Sequence, residues 1–211
     1  MVISYLGAEA FKIQFGDIVI AYNPVSKASK LKSTSFGADI VLVSTNHPDM
    51  NGIENASRGE KMPFVISGAG EYEVKGVFVH GFPSTSKYGG KDHINTIYTV
   101  SLENMNLCFL GALSSKEIPN EVLEELKEID ILFVPIGDDV LSPSDAYKLA
   151  NSLEPKIIVP MHYDIGDNAK ALSTFLKEGG EDSAEKHDKL TIKQKDLEGK
   201  EGDIFVINPM L

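Results

Sequence analysis

The sequence predicts an α/β fold of layered-sandwich type, built around one core. Three observations carry that expectation. Strand signals fill the first half, strand and helix signals alternate through the second, and no repeat, low-complexity tract or linker separates the two. A chain of 211 residues, 42% of them hydrophobic, has enough apolar mass for one sizeable core, so a single domain over 1–211 is expected.

Val2–Leu6, Phe11–Phe15 and Asp17–Tyr22 are short, rich in Ile, Val and aromatic residues, and punctuated by Gly7 and Gly16. The stretch "FKIQFGDIVIAYN" reads as a hairpin turning near Gly16-Asp17. Asp39–Val43 ("DIVLV") is almost continuously apolar, as a strand buried on both faces should be. Further strands are expected at Phe64–Ile66, Tyr72–His80, Thr96–Leu102 and Leu107–Leu110. In the second half, Asn120–Ile129 places Val122, Leu123, Leu126 and Ile129 on one helical face, and Ile131–Pro135 follows as a buried strand. Ser142 can cap a helix with Pro143 in its first turn, and Ala146, Leu149, Ala150 and Leu153 form its apolar stripe. Lys156–Pro160 is the next strand, and Asn168–Leu176 reads as a helix closed by Gly179-Gly180. Glu181–Asp188 is charged and reads as a flexible loop, before strands at Leu190–Lys195 and Ile204–Ile207.

The formal net charge is -11, a surface that repels phosphate backbones, so no nucleic-acid partner is expected. The one cysteine, Cys108, lies in the apolar run "NLCFLG" and reads as a small buried hydrophobe in a reducing compartment. The start "MVISYLGAEAF" lacks a basic segment and a long apolar segment, and no apolar run approaches ~18 residues. A cytoplasmic protein with no membrane association is therefore expected.

Several motifs then point to one family. "VLVSTNHPDMNG" (Val41–Gly52), "SGAGEYEVKGV" (Ser67–Val77), "NTIYTV" (Asn95–Val100), "LCFLGAL" (Leu107–Leu113), "FVPIGDD" (Phe133–Asp139) and "EPKIIVPMHYD" (Glu154–Asp164) occur in order and at fitting intervals. Together they resemble the small bacterial-type metallo-β-lactamase-fold proteins related to ascorbate-6-phosphate lactonase. The likeness runs from "YLGAEAFKI" (Tyr5–Ile13) to "KQKDLEGKEGDIFVINP" (Lys193–Pro209). It implies a four-layer αββα sandwich with a site at one edge, between the sheets. In that family a His-x-His-x-Asp-His loop, a later His, an Asp after Leu-Gly and the His of "PMHY" hold two metal ions, usually zinc. The metals activate a bridging water by lowering its pKa and polarise the scissile group.

This chain departs from that pattern. The loop reads Thr45-Asn46-His47-Pro48-Asp49-Met50, so Thr45 and Met50 stand in two His slots. The later His slot falls on Ser86, or on Ser84, within "FPSTSK", and the bridging Asp slot is Ala112. His47, Asp49 and His162 remain as remnant ligands, while Thr45, Met50, Ser86 and Ala112 mark lost slots. His47 would stand alone at one metal position, and Asp49 and His162 would share the other. A catalytic zinc normally has three protein ligands and a water. The surroundings differ too: the family's Leu-Gly-His-Ser is Leu6-Gly7-Ala8-Glu9, its Asp-Pro is Asn23-Pro24, and its Pro-x-Gly-Gly is Pro135-Ile136-Gly137-Asp138. Lys87 could pair with Asp49 in place of a metal's charge, or point to solvent.

For His47, Asp49 and His162 two readings stand: a weak single-metal site, or a hydrogen-bonded residual network in which Asp49 caps its own loop. His93, in "GGKDHINT", Glu9 or Met50 could be recruited as a further ligand; Met50's thioether suits copper(I) better than zinc. His80 and His187 read as ordinary surface residues, and Glu71 and Glu73 as solvated acids on a strand edge. No Ser–His–Asp arrangement and no phosphate loop is present in "GALSS" or "GAG". No confident catalytic residue emerges. The expectation is a degenerate member of the family that has lost two-metal hydrolysis and binds or scaffolds, with no cofactor. The alternative is a hydrolase of a small lactone, ester or phosphoester using one zinc, manganese or iron on His47, Asp49 and His162. A small molecule or a protein is the expected partner, and a homo-oligomer is the third possibility.

Overall fold

Antiparallel strands β1 (Val2–Gly7), β2 (Ala10–Phe15) and β3 (Ile18–Tyr22) begin the chain in the computed structural model, which describes residues 1–166 and 168–210. The β2–β3 hairpin pairs Phe15 with Ile18 and turns at Gly16, whose φ of +55° a glycine adopts freely, as the sequence predicts. Strands β4 (Ile40–Leu42) and β5 (Phe64–Ile66) then add in parallel beside β3. Side chains on β3 and β4 alternate between two apolar environments. Ile20, Tyr22, Ile40 and Leu42 face the main core, while Ala21, Val41 and Val43 face a cover built from Phe36, Ala38, Ile53 and Ala56. The continuous apolar run "DIVLV" thus reflects a strand buried on both faces.

The expected single strand Tyr72–His80 is instead two strands, β6 (Gly70–Val74) and β7 (Val77–Ser86). Lys75 and Gly76 both sit at positive φ and make a two-residue turn that pairs Val74 with Val77. Glu71 and Glu73 are exposed on this edge strand. Strands β8 (His93–Leu102) and β9 (Met105–Phe109) form a second such hairpin at Glu103-Asn104. Helix α1 (Asn120–Glu125) stops short of the expected Ile129, because Leu126 leaves the helical region and Glu128 turns left-handed. Parallel strands β10 (Ile131–Pro135) and β11 (Ile157–Met161) flank helix α2 (Pro143–Ser152), whose cap is the Ser142 hydroxyl accepting the Asp145 N–H. Helix α3 (Ala171–Glu178) follows a 3-10 turn at Asn168–Lys170 and ends at Gly179.

The charged segment 181–188 ends in β12 (Lys186–His187), so its last residues are not the loop expected of them. Beyond it, β13 (Leu190–Thr191) is shorter than expected and gives way to a 3-10 turn at Gln194–Leu197. The expected strand Ile204–Ile207 divides into β14 (Asp203–Ile204), paired with β11, and β15 (Val206–Ile207), paired with β12.

Among the described residues, one sheet has six strands in the order β13-β1-β2-β3-β4-β5, and the other has seven in the order β14-β11-β10-β9-β8-β7-β6. Helices α2 and α3 pack together, with the Tyr147 ring edge-on to Phe175. The sequence-predicted α/β sandwich is therefore present, with the outer cover of the first sheet reduced to a 3-10 turn at Ile53–Ala56 and its neighbouring loop. Between the sheets runs a ladder of aromatic rings: Tyr5 on Phe11 at 4.8 Å, Phe11 on Phe133 at 4.8 Å, Phe133 on Phe109 at 4.1 Å and Phe109 on Tyr22 at 4.0 Å. Cys108 lies beside it, fully buried, and burial pushes its thiol up to about 12, which leaves it inert. No helix of the structure is long and apolar enough to cross a membrane.

Buried Asp39 ties β3, β4 and the β6–β7 turn together. Its carboxylate accepts from Lys61 at 2.9 Å, Lys75 at 2.5 Å and the Val19 N–H at 3.0 Å. Burial alone would raise this carboxyl, but these donors outweigh it and hold it well below the usual carboxylate range. A depressed folded pKa gives stability that is present above the unfolded value of ~3.9 and is lost as pH falls below it. Asp39→Asn should therefore destabilise by ~1–3 kcal/mol at pH 7 and by less at pH 3, read from urea midpoints. Phe133→Ala should cost ~3–5 kcal/mol in the same assay, because it breaks the ring ladder at its centre.

Candidate functional site

Six connections converge at one end of the two sheets. They are the β1–β2 turn, the loop after β4, the β7–β8 loop, the loop after β9, and the residues following β10 and β11. The last three strands run parallel, so their carboxyl ends open onto one crevice, where α/β sheets place ligands.

The β1–β2 turn carries Glu9 and β11 delivers His162. Both are buried, at 0% and 2% exposure, with Glu9 Oε1 3.2 Å from His162 Nδ1. Neither atom has an aligned hydrogen bond. The other Glu9 oxygen accepts from Asn23 Nδ2 at 3.1 Å, and Asn23 in turn bonds Ser44. The Tyr22 hydroxyl is likewise buried without a partner; burial, then the Glu9 charge, raises its pKa well above the usual phenol value. His162 has a left-handed backbone, φ +73°, which non-glycine residues rarely adopt. Its N–H donates to the Ala8 carbonyl at 2.7 Å, and the Tyr5 hydroxyl lies 3.0 Å from the same nitrogen. Tyr5 also bonds Asp164, whose carboxylate accepts the Ala8 N–H. These ties hold the strained residue in place.

The structure brings His47 and Asp49 together, with Nδ1 and Oδ2 3.5 Å apart. It joins both to a residue the motif reading passes over, Tyr88. The Tyr88 ring meets His47 edge-on at 5.0 Å and His162 edge-on at 5.5 Å, and its hydroxyl donates to Asp49 Oδ2 at 2.8 Å. Burial, then the hydrogen bond and charge of Asp49, with Glu9 and Asp139 adding to them, raise this phenol well above its usual value. The other Asp49 oxygen accepts from the Ser29 hydroxyl. Asp49 therefore does not cap its own loop as expected; instead His47 Nδ1 accepts the Asp49 N–H at 3.2 Å. Lys87 does not pair with Asp49: its side chain is exposed, and only its backbone N–H is engaged, with Ser114. His93 approaches His47 edge-on at 5.8 Å, while His80 stacks on Phe82 and His187 on Phe205, away from the crevice.

The four residues that the motif reading aligns with ligand slots take part in packing and neutral hydrogen bonds. Met50 and Ala112 form a small buried apolar cluster with Tyr88 and Val140. Thr45 and Asn95 link the sheets through a backbone bridge and a side-chain hydrogen bond of 3.1 Å. Asn95 also donates to Ser84 and to the Leu110 carbonyl, and accepts the Ala112 N–H. Ser86 Oγ accepts the Tyr88 N–H at 3.1 Å.

This donor set does not fit a two-metal centre. Both Asp49 oxygens accept hydroxyl protons, and of the residues that the motif reading aligns with ligands, Met50 and Ala112 are apolar while Thr45 and Ser86 carry neutral hydroxyls. Among the described residues no three His, Cys, Asp or Glu side chains converge as a metal would need. The motif "FPSTSKYGG" held the signal for Tyr88: an aromatic residue two places after Ser86 and just before Gly89-Gly90.

The profile described as the beta-lactamase superfamily domain matches residues 2–162. Relatives include a metal-dependent hydrolase from Bacillus thuringiensis subsp. konkukian, 28% identical over 199 aligned positions that cover 78% of this chain and 86% of that protein. A second, from Bacillus licheniformis, is 25% identical over 195 positions, covering 77% and 85%. Among solved structures, a proposed Zn-dependent hydrolase of the metallo-β-lactamase superfamily from Thermotoga maritima superposes with a TM-score of 0.77 at 27% identity, covering 98% of this chain and 97% of that one. A metallo hydrolase from Ignicoccus hospitalis shares the fold with a TM-score of 0.68 at 18% identity, covering 99% and 95%.

Tyr88→Phe removes one donor from Asp49 and leaves the ring in its cluster. It should lower stability by ~1–3 kcal/mol, measured by urea denaturation at pH 7.5.

Proposed function

The chain belongs to the metallo-β-lactamase superfamily, and we propose that within it this protein has left two-metal hydrolysis and acts as a binding or scaffolding protein on the hydrolase fold. One observation carries the reading: the Tyr88 side chain lies against both remnant histidines with its hydroxyl on Asp49, in the cluster that contains two former ligand positions. A phenol donor gives the Asp49 carboxylate the partner that a cation gives it in the family pattern. The partner on this reading is a small polar molecule or a protein, and not nucleic acid, given the charge of -11.

The relatives' names, metal-dependent hydrolases, favour a second reading, in which this chain is a metal-dependent hydrolase. On that reading His47, Asp49 and His162 would hold one metal, and the substrate would be a small lactone, ester or phosphoester. The two readings differ in metal content. Tag-free protein, analysed by elemental mass spectrometry after titration with zinc, manganese and iron at pH 7.5, should hold well under one equivalent and show no thermal shift. Near-stoichiometric metal that disappears in His162→Ala would establish the second reading and overturn the first.

A further inference from the structure

The crevice continues outward from His162 into a cavity of about 400 Å³, a size that suits a small organic molecule. Its wall carries Leu31, Tyr88, Asp138, Asp139, His162 and Ile165. No lysine or arginine lines it, and among the described residues neither Asp138 nor Asp139 forms an ion pair. Both carboxylates are exposed at the rim, so their side chains are free to meet a ligand. Deeper in, buried His162 and Glu9 face each other with unpartnered atoms, and His162 is part of the cavity wall. Lys30 and Lys32 line a separate cavity that shares Leu31 and Ile165 with this one.

The geometry points to this cavity as the binding site of a small organic cation: a primary ammonium carried on an alkyl or aryl body. The inference rests on the metal-free reading of the crevice given above. Charge selects the sign, because Asp138, Asp139, Asp49 and Glu9 all lie at or behind the wall, with no lysine or arginine among the lining residues. Size and wall composition select an organic ion over a bare one. Leu31 and Ile165 offer an apolar surface to the ligand's body, and Tyr88 completes the wall beside His162. A metal ion would need three converging donors, which the described residues do not supply.

The test uses matched probes of opposite charge. Phenethylamine and phenylacetate share a body, as do hexylamine and hexanoate. Each is titrated into the full chain at pH 7.5 and followed by amide-resolved NMR. The amines should shift residues Tyr88, Asp138, Asp139 and His162 saturably, more weakly at high salt. The exposed-rim variant Asp138→Asn/Asp139→Asn should fold normally and bind the amines roughly tenfold more weakly. Absence of amine binding, equal binding by the carboxylates, or full amine affinity in the double variant would each overturn the inference. A parallel zinc titration separates this from the underlying reading. Stoichiometric zinc binding removes the metal-free premise, whereas carboxylate binding without zinc binding leaves that premise standing and removes only the cation.

Discussion

The aromatic ladder between the sheets is the contact on which everything else rests. Tyr5, Phe11 and Tyr22 come from the first sheet, Phe109 and Phe133 from the second, and each ring touches the next across or along the interface. Large flat side chains bury much area with few internal rotors, so they fix the spacing of the sheets at low entropic cost. The ladder also sets the floor of the crevice. Tyr5 ends at Asp164 and the His162 backbone, Tyr22 ends near Ser44 and Glu9, and the neighbouring Tyr98 hydroxyl donates to the Val43 carbonyl just before the Thr45 loop. A shift of any of these rings moves the loop it supports.

Above that floor, the loops must be held together by something. In the family the motifs resemble, metal ions take that part. Here the ties are a phenol on a carboxylate, a serine hydroxyl on the same carboxylate, and Asn95 spanning four groups from both sheets. The two bonds on the carboxylate are charge-assisted and those of Asn95 are neutral; each is modest by itself, but in a buried setting a satisfied network rigidifies its surroundings. The exception is the Glu9–His162 contact, where two buried polar atoms meet without good alignment. Such groups are costly to bury, which is why they draw attention to the cavity beside them.

Much of the fold was legible because it is written locally. Apolar runs, Gly16 and the Ser142-Pro143 cap each act within a few residues, and the motif order identified the superfamily. At the site, the sequence alone aligns Thr45, Met50, Ser86 and Ala112 with the family's ligand slots, an alignment that rests on motif strings. The Lys75-Gly76 turn was missed because Lys is an uncommon first residue for a turn that needs positive φ. The early end of α1 was missed because periodicity does not register where Glu128 turns left-handed. Partnerships were least legible. Ser29 with Asp49, Tyr88 with Asp49 and Glu9 with His162 join separate loops, and only the folded sheets reveal that those loops meet.

The cluster of Met50, Tyr88, Ala112 and Val140 acts as a ratchet. Placing a carboxylate at Ala112 would bury a charge among apolar side chains, and placing an imidazole at Met50 would bury ring nitrogens in the same apolar cluster. Gly111 leaves no slack beside them: at φ +64°, a Cβ there would lie 2.3 Å from Asn95 Oδ1. Each step from this crevice toward a metal-lined one is therefore uphill until Tyr88 has left, and removing Tyr88 first opens a void and strips Asp49 of a donor. Single substitutions do not connect the two architectures. The rim at Asp138 and Asp139 is exposed and lies outside this cluster, so substitution there leaves the buried interior in place.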